Sequence, residues 1–189
     1  PPAGDAVERV RSASAREPTL MSAAAVPPLR IRAVRAAPPR PDGAFVLYWM
    51  IANRRRGWNF ALQRAVELAR EVGKPLVVLE ALGLNHRWAS ARFHRFVLDG
   101  MADNRRAFEA GPALYHPYVE TERGAGRGLI EALGREAAAI VTDVYPCFEL
   151  PRFAEAAAAS VACRLEAVDS NGILPARATD TAFPTAYAF

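Results

Sequence analysis

The stretch FVLYWMIANRRRGWNFAL, Phe45–Leu62, decides how the chain is read. Its first six residues are an unbroken apolar run, the pattern of a strand covered on both faces rather than one. A polar, arginine-rich bend follows at Asn53–Gly57, and then Trp58, Leu62, Ala65 and Leu68/Ala69 recur at helical spacing. Strand, loop and returning helix make the start of a β-α-β unit. Open α/β sheets bind ligands beyond the carboxyl ends of such strands, so Met50–Asn59 is where a site is sought first.

Outward from this unit the pattern repeats. Further apolar runs predict strands at 76–82, 113–119, 138–144 and 164–168, after a first strand at 44–50. Between them the spacing predicts helices at 58–72, 90–110, 128–137 and 151–161. The first is closed by Gly73 with Pro75 beyond it, and the last begins at Pro151. This alternation predicts an α/β fold: a Rossmann-like, doubly wound, five-stranded parallel sheet of order 3-2-1-4-5, with helices on both faces and the first strand at its centre.

Residues 1–43 read differently. They are rich in Pro, Ala and Arg, and only Leu29–Val34 alternates, so a disordered or loosely attached arm is expected. The domain proper spans 44–175, and 176–189 reads as the start of a linker. Pro1-Pro2 suggests processing or a fragment, Met21 reads as a start, and the apolar end at 183–189 looks cut in mid-structure. The formal charge is +4; seven Arg against four acids in 1–43 supply +3 of it. The basic balance therefore belongs to the arm and says little about nucleic-acid binding by the folded part. No apolar run spans a bilayer, and no secretory signal pattern is present. Cys147 and Cys163 have neither CxxC spacing nor a neighbouring His, so a metal centre and a disulfide framework are not expected, and a reduced cytoplasmic monomer is.

Candidate chemistry clusters at the strand ends. Gly124-Ala125-Gly126-Arg127-Gly128 precedes a helix, where backbone N–H groups can meet a phosphate, but its GxGxG spacing is not the dinucleotide fingerprint and reads first as a plain loop. A stand-alone nucleotide-binding module would use it. His86, His94 and His116 lie on different elements without a nucleophile beside them, and His94 reads as a half-buried helix residue. Asp143 and Asp169 each end a strand, as turn formers or ligand acceptors. With Glu80 and Asn59 they would ring one end of the sheet, where Trp49, Trp58, Tyr145 and Phe148 could stack on a planar ring or simply fill the layer beneath the helices.

These residues resemble the N-terminal α/β domain of the DNA photolyase/cryptochrome family over roughly 44–188, most closely the class II cyclobutane pyrimidine dimer photolyases and related bacterial proteins. Tyr48-Trp49-Met50, Arg55 and Asn59-Phe60-Ala61-Leu62 resemble the family's first strand and helix; Pro75-Leu76-Val77-Val78 resembles its second strand. Arg92, Phe96, Leu98 and Gly100 match its next helix, with Phe93 at a family His. Val141-Thr142-Asp143 with Pro146, and Val168–Pro175, resemble two later turns. Trp58 replaces an acidic residue, Ala52-Asn53 an Arg-Asp pair, and no Leu-Arg follows Pro146.

The resemblance implies a flavoprotein that splits pyrimidine dimers in damaged DNA by light-driven electron transfer from reduced FAD. It places FAD and all catalytic residues in a helical C-terminal domain absent from this chain, so none is assigned here and the chain alone is expected to be inactive. A cryptochrome-like photoreceptor would share the same domain. The family's antenna chromophore, a deazaflavin or folate, would lie at a rim formed by Met50, Asn53, Arg55, Glu80, Asp143, Tyr145 and Cys147, or that rim would stand empty, packed by Trp58.

Overall fold

The structure is a computed structural model, and it describes Glu8 and residues 25–87, 89–185 and 187. The expected arm up to residue 24, Glu8 apart, and positions 186, 188 and 189 of the apolar end lie outside the described residues. The sheet has six strands: β1 (Ile31–Arg35), β2 (Phe45–Met50), β3 (Leu76–Leu82), β4 (Leu114–Val119), β5 (Ala137–Asp143) and β6 (Arg164–Val168). Among the described residues four α-helices alternate with strands β2 to β6: α1 (Phe60–Val72), α2 (Ala91–Glu109), α3 (Leu129–Glu136) and α4 (Leu150–Ser160).

The sheet order is β1-β6-β5-β2-β3-β4. Its strand count and order thus differ from the five-stranded expectation by one added edge strand. Among themselves the five parallel strands keep the expected neighbours, with β2 between β3 and β5. Every residue of β2 is buried. Val46, Tyr48 and Met50 face Ala61, Ala65 and Leu68 of α1 and Phe108 of α2. Phe45, Leu47 and Trp49 face Leu129 and Leu133 of α3 and Ala157 and Ala158 of α4. That double coverage is why the run does not alternate.

Helix ends follow local chemistry. Asn59 caps α1, its side chain accepting from the Leu62 N–H at 2.9 Å, so the helix starts beyond Trp58 rather than at it. Gly73 closes it in the left-handed conformation, φ 63°. Ser90 caps α2 in the same manner as Asn59.

The added strand comes from the segment read as part of the arm. β1 pairs antiparallel with β6, Ile31 opposite Val168. Ile31 packs against one core layer and Val34 against the other, across a register shift between Ala33 and Arg35. Arg30 is buried just before the strand. Its guanidinium donates to the carbonyls of Asp169, Asn171, Gly172 and Ile173, the last at 2.6 Å, and lies 4.3 Å over the Phe60 ring. It clasps the turn after β6 to the start of β1. Among the described residues no helix is long and apolar enough to cross a membrane.

Candidate functional site

The C-terminal rim collects the loops after β2, β3, β4, β5 and β6. The β2 loop is built around Asp143, which is 2% exposed. One carboxylate oxygen accepts from the Tyr48 hydroxyl at 2.8 Å. The other accepts from three successive backbone N–H groups, Ile51 at 3.0 Å, Ala52 at 2.8 Å and Asn53 at 3.0 Å. Asn59 completes the turn, its amide donating to the Tyr48 hydroxyl and to the carbonyls of Asn53 and Arg55. Burial, and then the neighbouring Asp143 charge, push the Tyr48 phenol well up, so it remains a neutral donor.

Glu80 is held as tightly. Arg54 donates to one oxygen at 3.2 Å; Asn104 of α2 and the Tyr115 hydroxyl donate to the other, at 2.9 and 2.5 Å. Burial, and then its bond to Glu80, raise the Tyr115 phenol. On the far side of the rim, Glu120 follows β4 and organises the glycine loop. Its oxygens accept from the N–H groups of Leu84 at 2.6 Å, Gly124 at 2.9 Å and Gly126 at 3.1 Å. These bonds, Leu84 first, hold its carboxyl below the ordinary value. The loop N–H groups expected to meet a phosphate thus already carry an internal carboxylate. Asp169 closes the last turn, accepting from Asn171 and Ala176 N–H.

The expected rim residues therefore divide. Met50, Glu80 and Asp143 are sealed beneath the loops. Arg55, Tyr145 and Cys147 are exposed. Asn53 lies between: it is buried, its backbone is fixed by Asp143 and Asn59, and its side-chain nitrogen has no hydrogen-bond partner. Trp49 belongs to the core. Trp58 does not pack the rim, for it is 96% exposed, and Phe148 is 66% exposed. Both adopt left-handed backbone, φ 51° and 59°, the only described non-glycine residues that do. Such a conformation costs a large L-residue about 1–3 kcal/mol and collects at ligand clamps. Arg55 latches the first, donating twice to the Trp58 carbonyl at 3.3 and 3.1 Å.

His86 and His94 both neighbour the Phe93 ring, His86 stacked on it at 5.5 Å, while His116 sits on β4. Among the described residues no group of three or more His, Cys, Asp or Glu side chains is arranged to hold a metal ion. The parts that sequence reasoning missed are Tyr48, Arg54, Asn104, Tyr115 and Glu120, each a partner in a contact between distant segments. A glutamate four residues ahead of the first loop glycine was the one available signal.

Over 147 residues, 77% of its length, the chain is 33% identical to the deoxyribodipyrimidine photo-lyase of Methanothermobacter thermautotrophicus. The match takes in 32% of that relative, so the chain spans about a third of the length of the curated relative it matches. No family model matches the chain.

Proposed function

The chain belongs to the photolyase family, and on that premise we propose that it is the N-terminal α/β domain of a longer, class II-like flavoprotein that repairs cyclobutane pyrimidine dimers in DNA. In this reading a helical C-terminal domain carries reduced FAD, takes the extruded dimer and splits it by light-driven electron transfer. Residues 1–189 carry no catalytic group and act in a cytoplasmic, monomeric enzyme. The observation that carries the reading is the 33% identity sustained over 147 residues. The first strand and helix, Tyr48–Met50 and Asn59–Leu62, support the class.

The same reading gives the rim to an antenna chromophore, a deazaflavin or folate. The residues fit a planar, carbonyl-bearing ring. Trp58, Tyr145 and Phe148 offer exposed faces, Arg55 both stacks and donates, and Asn53 holds an unused amide donor. Cys147 borders them. Met50, Glu80 and Asp143 form the floor, the two carboxylates already engaged by the loops and by Asn104 of α2. Light absorbed there would pass to the flavin by energy transfer, with no chemistry at these side chains. A nucleotide module built on the glycine loop is disfavoured because Gly124 and Gly126 already donate to Glu120.

The test is the full-length reading frame, purified with reduced flavin and illuminated with an oligonucleotide containing one dimer. Light-dependent loss of the dimer is expected. Bound flavin without dimer loss would make the protein a photoreceptor, and no flavin binding would overturn the reading. For the rim, the full-length protein is made in a deazaflavin-producing host beside a Tyr145→Ala, Arg55→Ala double variant. Antenna absorbance should appear in the wild type alone; equal absorbance in both, or none in either, refutes the site.

A further inference from the structure

Helix α2 is longer than the sheet it packs on. Asn104 donates to Glu80 near the end of β3 and to the carbonyl of Arg54, which sets that residue level with the rim. Met101, one turn earlier, is its first buried residue. Residues 91–100 therefore stand beyond the rim, about 15 Å of helix at 1.5 Å per residue, and none of them is buried.

One stripe runs the whole length of the helix. Phe93, Val97, Met101, Asn104 and Phe108 are spaced three or four apart and share a face. In the lower half it is covered, with Met101, Asn104 and Phe108 at 4%, 7% and 4% exposure. In the upper half Phe93 is 42% exposed, and Phe96 beside it 78%. An open depression of about 470 Å³ runs along Ser90, Arg92, Phe93 and Phe96. His86 braces the Phe93 ring from the preceding loop.

We propose that the projecting half of α2 docks a later segment of the same polypeptide, so that this helix joins the α/β domain to the remainder of the longer protein. The inference rests on the reading that the chain is one domain of such a protein. Three observations select this occupant. The stripe continues a face that is already an intramolecular interface. About two thirds of the matched relative lies outside the match, so in a protein of that length there is chain to supply the cover. And the face is small: about 15 Å of one helix about 10 Å wide offers far less than the ~800 Å² per partner that free proteins bury in a stable pair. A tethered segment at about millimolar effective concentration is held by such a face; a free second copy is not. Arg95 pairs with Asp99, but Arg92 at the depression leaves the projecting half with a net positive charge, so nucleic acid is an occupant the experiment must separate.

Hydrogen exchange tests this on the 189-residue chain and on the full-length protein. Amides of 93–100 should exchange at least tenfold more slowly in the full-length protein. Val97→Glu should abolish that difference there while leaving 101–109 protected, and should leave the melting temperature of the 189-residue chain unchanged. Equal exchange in the two proteins overturns the proposal, as does a reading frame that stops at Phe189. So does a 189-residue dimer that Val97→Glu dissociates, or slowing that needs added DNA. Flavin binding and dimer repair, measured on the same full-length preparation, keep the two readings apart. Repair with unprotected 93–100 sinks this inference alone; protection without flavin sinks the proposed function alone.

Discussion

Two sets of side chains meet at the C-terminal rim, and they are built in opposite ways. Glu80, Glu120, Asp143 and Asp169 are buried, and each carboxylate accepts from groups of the loops around it. Trp58, Tyr145 and Phe148 are exposed, and two of them sit on strained backbone. A carboxylate that accepts three or four hydrogen bonds from its own chain has little left for a ligand. The acids at the strand ends are thus the frame of the rim, and its rings, with Arg55, are the surface that can recognise something.

Removing the frame should cost most. Asp143→Ala leaves three backbone N–H groups and the Tyr48 hydroxyl without their acceptor. Unpaired buried groups cost about 1–3 kcal/mol each, so a loss of at least about 3 kcal/mol is expected in urea unfolding. A loss below about 1 kcal/mol would show that the loop stands without the acid and erase the contrast.

Glu120→Gln should cost less, about 1–2 kcal/mol, since the amide keeps its shape but not its charge. It should also flatten the acid limb of the stability profile. The Glu120 carboxyl is held below its ordinary value of 4.5 by the loop N–H groups. The unfolded chain therefore binds its proton first. The contribution is complete above about pH 4.5 and is lost as pH falls through the lower folded value. Parallel profiles for wild type and variant would remove Glu120 from the frame.

The rings should behave in the reverse sense. Trp58→Gly or Phe148→Gly normally reads as a severe change, yet relief of the left-handed backbone should leave stability unchanged or raise it by about 1 kcal/mol. A loss above about 1 kcal/mol in thermal unfolding would mean the ring is packed. The smallest effect belongs to the thiols. In the native protein Cys147 should react with a thiol reagent at the rate of an exposed thiol. Buried Cys163, its thiol raised by burial, should wait for unfolding. Cys147→Ser should shift stability by less than about 0.5 kcal/mol.

Much of the frame was legible before any coordinates. The unbroken run at 45–50 specified a central strand and Gly73 the C-terminal end of α1, whose start was expected at Trp58 rather than after the Asn59 cap; the other parallel strands fall within a residue of expectation. β1 escaped because Arg30, Arg32 and Arg35 gave its short alternation the look of a solvated tail. An edge strand needs little apolar surface, and its arginines are used in contacts more than a hundred residues away in sequence. The candidate site was legible only as a location. Asp143 and Glu80 were expected to face a ligand, but their partners are contributed by segments far along the chain, and no local pattern announces such a bond. The exposed rings were named, while the backbone that presents them was not: nothing in a Trp or Phe forecasts φ above zero.

The Arg30 clasp has a mechanical consequence. Ile31 lies opposite Val168, so the chain enters β1 beside the point where it leaves β6. A pull applied to the two flanking segments loads that pair from one end. It would peel the strands apart a bond at a time instead of shearing the ladder all at once. Before the first rung opens, the guanidinium must release four carbonyls and slide off the Phe60 ring. The clasp thus shares the tension with the Val26 N–H bond to Glu67 and the Asp169 N–H bond to the Arg30 carbonyl, and the parallel sheet behind is loaded only after these contacts yield.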